Sequence, residues 1–309
     1  MINKVAQLIT QRILNSPNRL EIRLLKRLRR SLLVFIDPLI HYDLRDQRVL
    51  LPFSHELPFI LKVYPKYSSN IVTVASQVIL KYPDAALVDI GANVGDTAIL
   101  LRSEMQNPIL CIEGSLEYFK MLEQNISRLD GVYAVNTFVI GSEKFEGVLV
   151  KQGGTASPTK TGQTGIHNQA RLSEILREYP SLSDRVKVLK IDTDGYDICI
   201  LEDQEEMLRR LKPVVLFEYV PKLFRQHSPN GKTVFKWLMG LGYRKIIFYD
   251  NFGSYLLTLD LSEGSISIVD DIDHYLSGQS VVPYCDIVVF HAEDEDLCTE
   301  IRRKELNVS

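Results

Sequence analysis

The residues with the clearest chemical potential form the run 88–96, Val-Asp-Ile-Gly-Ala-Asn-Val-Gly-Asp. The apolar stretch 86–90 predicts a short strand, and a segment with helical spacing follows the run, so both glycines fall where a strand turns into a helix. Gly91 and Gly95 can adopt backbone conformations closed to other residues, which lets the turn approach a bound ligand closely. The ligand contacts that we expect in this region are Asp89, Gly91, Asn93, Gly95, Asp96 and Thr97.

The same run favours a ligand with a cationic end over a dinucleotide. A dinucleotide fingerprint would place glycine at positions 91, 93 and 96, where this chain has Gly91, Asn93 and Asp96. The carboxylate of Asp96 at the start of the helix would repel a pyrophosphate group. S-adenosylmethionine has a sulfonium and no phosphate, and its amino acid end can bind to backbone amides and to a carboxylate. We therefore expect this molecule as the cofactor.

A second acidic residue, Glu113, lies at the end of the next predicted strand, in Cys-Ile-Glu-Gly-Ser. It follows Gly91 by 22 residues, close to the spacing at which a carboxylate accepts hydrogen bonds from ribose hydroxyls of a nucleoside cofactor. Gly114, directly after it, and Asn136, in the third predicted strand, complete the expected cofactor contacts.

Together these motifs resemble the FkbM family of S-adenosylmethionine-dependent methyltransferases. The resemblance extends over about residues 50 to 290 and is carried by the run 88–96, Glu113, Asn125, Leu-Lys-Ile-Asp-Thr-Asp-Gly-Tyr-Asp at 189–197, and Glu218. Asp194 stands where the family usually has Glu, and residues 171–174 read Arg-Leu-Ser-Glu where members often have Thr-Leu-Asp. The resemblance implies an O-methyltransferase that acts on a hydroxyl of a sugar, a glycan or a natural product.

Such a reaction directs attention to three carboxylates near predicted strand ends, Asp192, Asp194 and Glu218. Methyl transfer needs the acceptor oxygen in line with the methyl group, and a base that takes the hydroxyl proton helps further. Asp192 and Asp194 are the first candidates for this base, ahead of Glu218 and His167. The three carboxylates would also suit Mg²⁺, but we expect a reaction that requires no metal.

The elements that position these residues alternate along the chain from residue 70 onward. The predicted strands are 86–90, 108–113, 133–140, 186–191, 214–219, 243–249 and 285–290, and the predicted helices are 70–81, 96–105, 116–129, 197–211 and 231–241, with a hairpin around 250–270. Strands separated by helices form right-handed crossovers and a mostly parallel sheet covered on both faces. We therefore expect an α/β fold, a Rossmann-like class I methyltransferase sheet with an antiparallel strand near the C-terminus. Its ligands should bind at the carboxyl ends of the strands.

The first fifty residues look helical, with Leu20, Leu24, Leu25 and Leu28 at helical spacing. They carry ten basic and four acidic side chains, a net charge of +6, within a whole-chain charge of −3. Such a segment could contact an anionic membrane or an assembly partner, or could pack on the main domain with a solvated basic face. We expect a basic helical extension and lead-in at 1–66, a methyltransferase domain at 67–293 and a charged tail at 294–309.

Composition sets the broad class. With 309 residues, 45% hydrophobic and 24% charged, the chain is neither disordered, collagenous nor a coiled coil. The negative charge beyond residue 50 argues against nucleic acid as a partner, so we expect a small-molecule or glycan acceptor. Four widely spaced cysteines predict neither a zinc site nor a disulfide framework. Without an apolar run of about 20 residues or a secretory signal pattern, we expect a cytoplasmic protein, membrane-peripheral if the basic segment binds lipid.

Two other functions share the strand-turn-helix pattern. An NAD-dependent dehydrogenase or epimerase could use the same scaffold. A binding protein could retain the fold without chemistry, although Gly91, Glu113 and Asp192 are all present.

Overall fold

The structure, a computed structural model, describes residues 2–152, 154–159, 168–222, 233–278 and 284–307. Its helices are α1 (Ile2–Asn15), α2 (Arg19–Leu33), α3 (Leu57–Val63), α4 (Ser69–Lys81), α5 (Asp96–Arg102), α6 (Leu116–Ile126), α7 (Leu172–Arg177), α8 (Pro180–Ser183), α9 (Asp197–Glu202), α10 (Glu205–Leu211), α11 (Thr233–Gly240), α12 (Ile266–Gly278) and α13 (Glu295–Asn307). Its strands are β1 (Leu39–Leu44), β2 (Gln47–Pro52), β3 (Ala86–Ile90), β4 (Ile109–Glu113), β5 (Val132–Asn136), β6 (Phe138–Val139), β7 (Val148–Gln152), β8 (Thr155–Thr159), β9 (Gln169–Ala170), β10 (Val186–Ile191), β11 (Val214–Tyr219), β12 (Tyr243–Asp250), β13 (Tyr255–Asp260) and β14 (Cys285–His291).

An eight-stranded sheet in the order β13-β12-β14-β11-β10-β3-β4-β5 organises the chain. Strands β5, β4, β3, β10 and β11 are parallel, whereas β14 runs antiparallel to both β11 and β12. The chain adds β4 and β5 on one side of β3 and then returns to add β10 and β11 on the other. This reversal is the switch point at which open α/β sheets bind their ligands. The Rossmann-like α/β fold predicted from the sequence is confirmed.

Helices cover both faces of the sheet because alternate strand residues point in opposite directions. Val88, Ile191 and Phe217 belong to one apolar core, which includes residues of helices α7 and α9 to α12. Leu87 and Leu216 belong to the other, which includes residues of α4, α5, α6 and α13. Since each fully buried aliphatic side chain contributes about 1.5–3 kcal/mol, these cores hold the strand ends in fixed positions.

The N-terminal residues form a third apolar core instead of a helical arm alone. Helices α1 and α2 are present as predicted, but residues 39–52 form the β1–β2 hairpin, so the helical prediction is wrong there. Pro38 precedes the hairpin, and Arg45 turns it with a φ of 51°. Val49 and Leu51 are completely buried in a core that includes residues of α5 and α6. The N-terminal unit is therefore packed on the sheet domain.

Two more segments differ from the sequence predictions. The charged residues from 294 onward include helix α13, which buries Leu297, Cys298 and Ile301 in spite of its many charges. The hairpin predicted around 250–270 is completed by β13, and helix α12 follows it. In both helices, a few apolar residues at helical spacing among many acidic ones suffice to form a buried stripe. Among the described residues, no helix is long and apolar enough to cross a membrane.

Candidate functional site

A cavity of about 530 Å³ lies at the carboxyl ends of β3, β4, β10 and β11. Most of the residues predicted for the site line it, namely Gly91, Asn93, Asp96, Thr97, Glu113, Gly114, Asp192, Asp194 and Glu218. Three predicted residues, Asp89, Gly95 and Asn136, are not among the lining residues. His167 lies outside the described residues.

The glycines of the turn after β3 serve contacts within the protein. Gly91 has a φ of +84°, and a Cβ atom there would lie 1.7 Å from the backbone oxygen of Asp192. Gly95 has a φ of +86°, and its Cβ would lie 2.7 Å from the Cδ1 atom of Leu122 in α6. The turn is therefore closely packed within the protein against Asp192 and α6, and Gly91 also lines the cavity.

Glu113 is the acidic residue with the most defined geometry in the cavity. Its Oε2 atom accepts a hydrogen bond from the backbone N–H of Asn93 at 2.9 Å, and its Oε1 from that of Ser115 at 2.6 Å. Burial raises the pKa of Glu113 to about 7, although both amides act in the opposite direction. Because an ionised carboxylate has about four acceptor sites, each oxygen retains capacity for a further donor.

The side chain of Asn93 connects the turn to two other segments. Its Nδ2 donates to the backbone oxygen of Gly154 at 2.8 Å, and its Oδ1 lies 3.3 Å from Nε2 of His55. His55 comes from the lead-in before α3 and lines the cavity. His55 was not among the predicted site residues, because a single histidine near three prolines matches no binding motif.

Asp89 and Lys190 form a buried ion pair at the base of the cavity. Lys190 lies between two carboxylates, 2.9 Å from Oδ1 of Asp89 and 3.1 Å from Oδ2 of Asp192. Burial raises the pKa of Asp89, and the charge of Lys190 opposes that rise. Asp89 therefore acts on the cavity through Lys190, which itself lines the cavity and was not predicted.

Asn136 and Asn125 also act on the site from outside the cavity. Asn136 Nδ2 donates to the backbone oxygen of Glu113 at 2.8 Å and so fixes the end of β4. Asn125, part of the family resemblance, donates to the backbone oxygens of Val94 at 2.8 Å and Leu50 at 3.0 Å. It therefore ties the turn after β3 to the N-terminal hairpin.

The segment after β10 is organised by a carboxylate that sequence reasoning did not assign. Asp197 is completely buried at the start of α9 and accepts hydrogen bonds from Thr193 Oγ1 at 3.0 Å and Gly195 N–H at 3.1 Å. The N–H of Glu218 donates to its other oxygen at 3.3 Å. Burial and the charge of Asp192 raise the pKa of Asp197 to about 8. Asp197 thus joins the Asp192–Gly195 segment to the end of β11.

Glu218 and Asp286 form the acidic side of the cavity away from Glu113. They are register partners on the antiparallel strands β11 and β14. Asp286 accepts a hydrogen bond from Asn70 Nδ2 at 3.0 Å, and burial together with Asp192 raises its pKa to about 7. Burial and Asp192 also raise the pKa of Glu218 well above its usual range. Asp286 was not among the predicted site residues, which lie at the ends of parallel strands. Strand β14 is antiparallel to β11, so it begins at the sheet edge that forms the cavity.

The charged side chains that line the cavity fit the expected cofactor. Five of the lining residues predicted from the sequence are acidic, namely Asp96, Glu113, Asp192, Asp194 and Glu218. The described cations of the lining are Lys190, already held by two carboxylates, and Lys222. This balance suits a sulfonium and an ammonium group and disfavours a pyrophosphate. Among the described residues, no group of three His, Cys, Asp or Glu side chains is arranged to hold a metal ion.

Three solved structures are among those to which this chain is similar. A precorrin-6y C5,15-methyltransferase from Geobacter metallireducens is 15% identical over 67% of this chain and 80% of its own, with a TM-score of 0.36. A methyltransferase FkbM from Methylobacillus flagellatus is 12% identical over 52% of this chain and 39% of its own, with a TM-score of 0.35. TYW2 of M. jannaschii, solved in complex with AdoMet, is 10% identical over 83% of this chain and 86% of its own, with a TM-score of 0.41.

At these TM-scores the three structures support no conclusion of their own, and no curated protein matches the chain. The family follows from the sequence profile of the methyltransferase FkbM domain, which matches residues 89–245. This match covers half of the chain, from β3 to β12, and includes the turn after β3, Glu113 and the segment 189–197. The chain belongs to the FkbM methyltransferase family.

Proposed function

We propose that the chain is an S-adenosylmethionine-dependent O-methyltransferase that acts on a hydroxyl group of a sugar, glycan or natural-product acceptor. The observation that carries the proposal is Glu113, whose two carboxylate oxygens are oriented by backbone amides at the end of β4 in an acidic cavity. The bound cofactor supplies an activated methyl group. The residues of this chain bind both partners, orient them and accept the proton of the hydroxyl.

On the cofactor side, Glu113 accepts hydrogen bonds from the ribose hydroxyls, and the backbone of the Gly91–Gly95 turn lies beside it. Asp96, at the start of α5, attracts a cationic group, and burial raises its pKa to about 6. Near neutral pH most Asp96 side chains are therefore ionised. Lys190 neutralises Asp89 and holds Asp192 in place, which limits the charge repulsion among the acidic side chains.

On the acceptor side, Asp192, Asp194, Glu218 and Asp286 surround the position of the hydroxyl. Asp286, with a pKa of about 7, is suited to take up a proton near neutral pH. Burial and the charge of Asp192 raise the pKa of Glu218 well above its usual range, which favours the protonated form that can donate a hydrogen bond to the acceptor. An acidic lining also disfavours a nucleic acid acceptor, since phosphates would be repelled. The four cysteines are free thiols, which is typical of the cytoplasm, where we place the reaction.

Calorimetric titration with S-adenosylhomocysteine and with NAD tests the cofactor. We expect binding of S-adenosylhomocysteine alone, and a loss of affinity of about tenfold or more in Glu113→Gln, since an amide offers one acceptor oxygen in place of two. Glu123→Gln, an exposed residue of α6 outside the cavity, is the matched control and should bind like the wild type. Binding of NAD alone would favour the dehydrogenase or epimerase, and binding of neither would favour a non-catalytic protein.

Mass spectrometry of glycans and small molecules from wild-type and deletion strains tests the acceptor class. A hydroxyl-bearing compound should carry the mass of one additional CH₂ group in the wild type, and a strain that carries Glu113→Gln should lose the increment. An increment on an amine or a carbon atom would contradict O-methylation and would leave the cofactor assignment intact.

A further inference from the structure

The N-terminal helices carry apolar side chains on a surface that nothing in the described chain covers. Of the nineteen large apolar residues that are exposed in the described chain, eight lie between residues 2 and 35. In α2, Leu20, Leu24 and Leu28 follow one another at helical spacing and are 67%, 62% and 46% exposed, and Phe35 just beyond the helix is 84% exposed. Because residues four apart share one face of a helix, these side chains form a single stripe.

Cations flank this stripe along the same helix. Arg19, Arg23, Lys26, Arg27 and Arg30 are all exposed, and none of them forms an ion pair with a described residue. The single acidic residue between positions 2 and 36, Glu21, is paired with Arg12 at 2.8 Å. The exposed side of α2 therefore combines apolar and positively charged side chains with no available negative charge. We call the leucine stripe, Phe35 and these five cations the outer face.

The opposite side of α2 accounts for the packing of the helix, so the outer face is not required for folding. Arg29 points inward and donates hydrogen bonds to the backbone oxygens of Phe53 and Ser54. Leu25 and Leu32 pack against the N-terminal core. Exposure of the leucine stripe is consequently a property of the finished fold.

Helix α1 also exposes apolar side chains. Ile2 and Val5 of α1 are about half exposed, and together with Leu32 and Ile36 they line an apolar cavity of about 180 Å³. Leu8 of α1 is 59% exposed. Both N-terminal helices therefore expose apolar side chains.

We propose that the outer face of the α1–α2 hairpin binds the surface of an anionic membrane. The leucine stripe and Phe35 would enter the boundary between headgroups and acyl chains, and the cations would contact lipid phosphates. The inference is independent of the catalytic assignment, because no residue of the outer face lines the active-site cavity.

The mixture of side chains favours a lipid surface over other anionic partners. A nucleic acid would be bound through the cations, and exposed leucines would add little to contacts with phosphates. A membrane uses both kinds of side chain, and an amphipathic helix that lies in the interface has this arrangement of an apolar face beside lysine and arginine. Neither helix is long enough to span a bilayer, so the contact would be peripheral.

Sedimentation of the full chain with vesicles tests the proposal. We expect binding to vesicles that contain phosphatidylglycerol, no binding to pure phosphatidylcholine, and release by salt. In Arg23→Gln/Lys26→Gln/Arg27→Gln, affinity should fall by about a hundredfold, since each basic residue near an anionic surface contributes about a fivefold change. Leu20→Gln/Leu24→Gln/Leu28→Gln should also lose binding, because glutamine preserves helix propensity but cannot enter the apolar boundary.

Three other exposed leucines provide the matched control. Leu80, Leu116 and Leu306 are 73%, 57% and 48% exposed, nearly the same as the leucine stripe, and lie outside the N-terminal helices. Their triple glutamine variant should bind vesicles like the wild type, and circular dichroism should show that every variant is folded. Absence of binding by the wild type, equal loss in the control, or unchanged binding of the Leu20/Leu24/Leu28 variant would overturn the proposal. So would an oligomer in vesicle-free sedimentation velocity that the same variant converts to a monomer, since the face would then be a protein interface.

Discussion

At the scale of single residues, the most constrained position is the glycine that follows β3. A side chain at Gly91 would collide with the backbone of Asp192 and would also require a left-handed backbone conformation, with a φ of +84°. The turn after β3 is thereby packed directly against the backbone of Asp192, which follows β10. The geometry of the two halves of the cavity depends on this one contact.

Gly91→Ala should therefore be strongly destabilising. We expect a loss of about 3 kcal/mol or more in the free energy of unfolding, from backbone strain and overpacking together. Urea denaturation measures it. Gly240→Ala is the control, since a Cβ there meets nothing within 4 Å and alanine favours the end of a helix. A Gly91→Ala protein as stable as this control would show that the turn and β10 are not in contact.

Asp286 is the residue whose chemistry sequence reasoning did not anticipate. If it takes the hydroxyl proton, the rate should rise with pH through about 7, because the base must be ionised to act. Asp286→Asn should lower kcat by about a hundredfold or more and abolish that rise. The control variant Asp271→Asn, at an exposed position of α12, should leave the dependence of the rate on pH unchanged. If Asp192→Asn removes the rise and Asp286→Asn does not, Asp192 is the base.

At the scale of elements, Arg29 joins α2 to the loop before α3. Its guanidinium donates to the backbone oxygens of Phe53 and Ser54 and pairs with Glu56 at 2.7 Å, and it lies 4.6 Å from the centre of the Phe59 ring. His55, in the same loop, reaches the cavity. Helix α2 thus holds one wall of the cavity in place, although no residue of α1 or α2 lines the cavity.

Arg29→Met should cost about 2–4 kcal/mol of unfolding free energy, since several buried backbone oxygens and a carboxylate lose their partner. Arg29→Lys should recover only part of this, because an ammonium group cannot reproduce the planar fork. Chemical denaturation measures both. Arg30→Gln, one residue on and exposed, should change stability by less than about 0.5 kcal/mol. A similar small change in Arg29→Met would contradict this role.

Helices and strands could be predicted from the sequence where the spacing of apolar residues fitted only one kind of element. The strand at 86–90 and its glycine turn were identified, since an apolar run that ends in glycines has few alternative structures. The leucine spacing at 20–28 predicts helix for the first fifty residues, whereas residues 39–50 lie in the β1–β2 hairpin, whose packing partners are far away in the sequence, in α5 and α6. Predicted residues at the ends of parallel strands line the cavity, whereas the lining residues Asp286 and His55, which were not predicted, come from an antiparallel strand and from the lead-in.

At the scale of the whole molecule, carboxyl groups in and next to the cavity hold protons more tightly than usual. The pKa is about 6 for Asp96, about 7 for Glu113 and Asp286, and about 8 for Asp197, in each case chiefly because of burial. Unfolded, the same groups would titrate near 3.8 to 4.5. These four groups therefore bind more protons in the folded chain than in the unfolded chain between about pH 4 and 8.

Stability of the ligand-free protein should consequently fall as pH rises from about 4 to about 8. Guanidinium denaturation at a series of pH values measures it. Asp197→Asn should be less stable overall and should show a shallower decline, because it removes the group with the highest of these values. A stability that is constant or rises over this range would contradict the protonation of these carboxyl groups.

The packing of the N-terminal hairpin has a consequence for how the chain is made. Asn125 bonds the backbone of Leu50 across 75 residues, and Val49 and Leu51 are buried against helices that follow them in the sequence. During synthesis the N-terminal residues emerge first, and domains generally fold as units once their parts are available. The hairpin must therefore remain undocked until α6 has left the ribosome. Throughout that interval, the apolar side chains of the hairpin that later pack on α5 and α6 are accessible to chaperones.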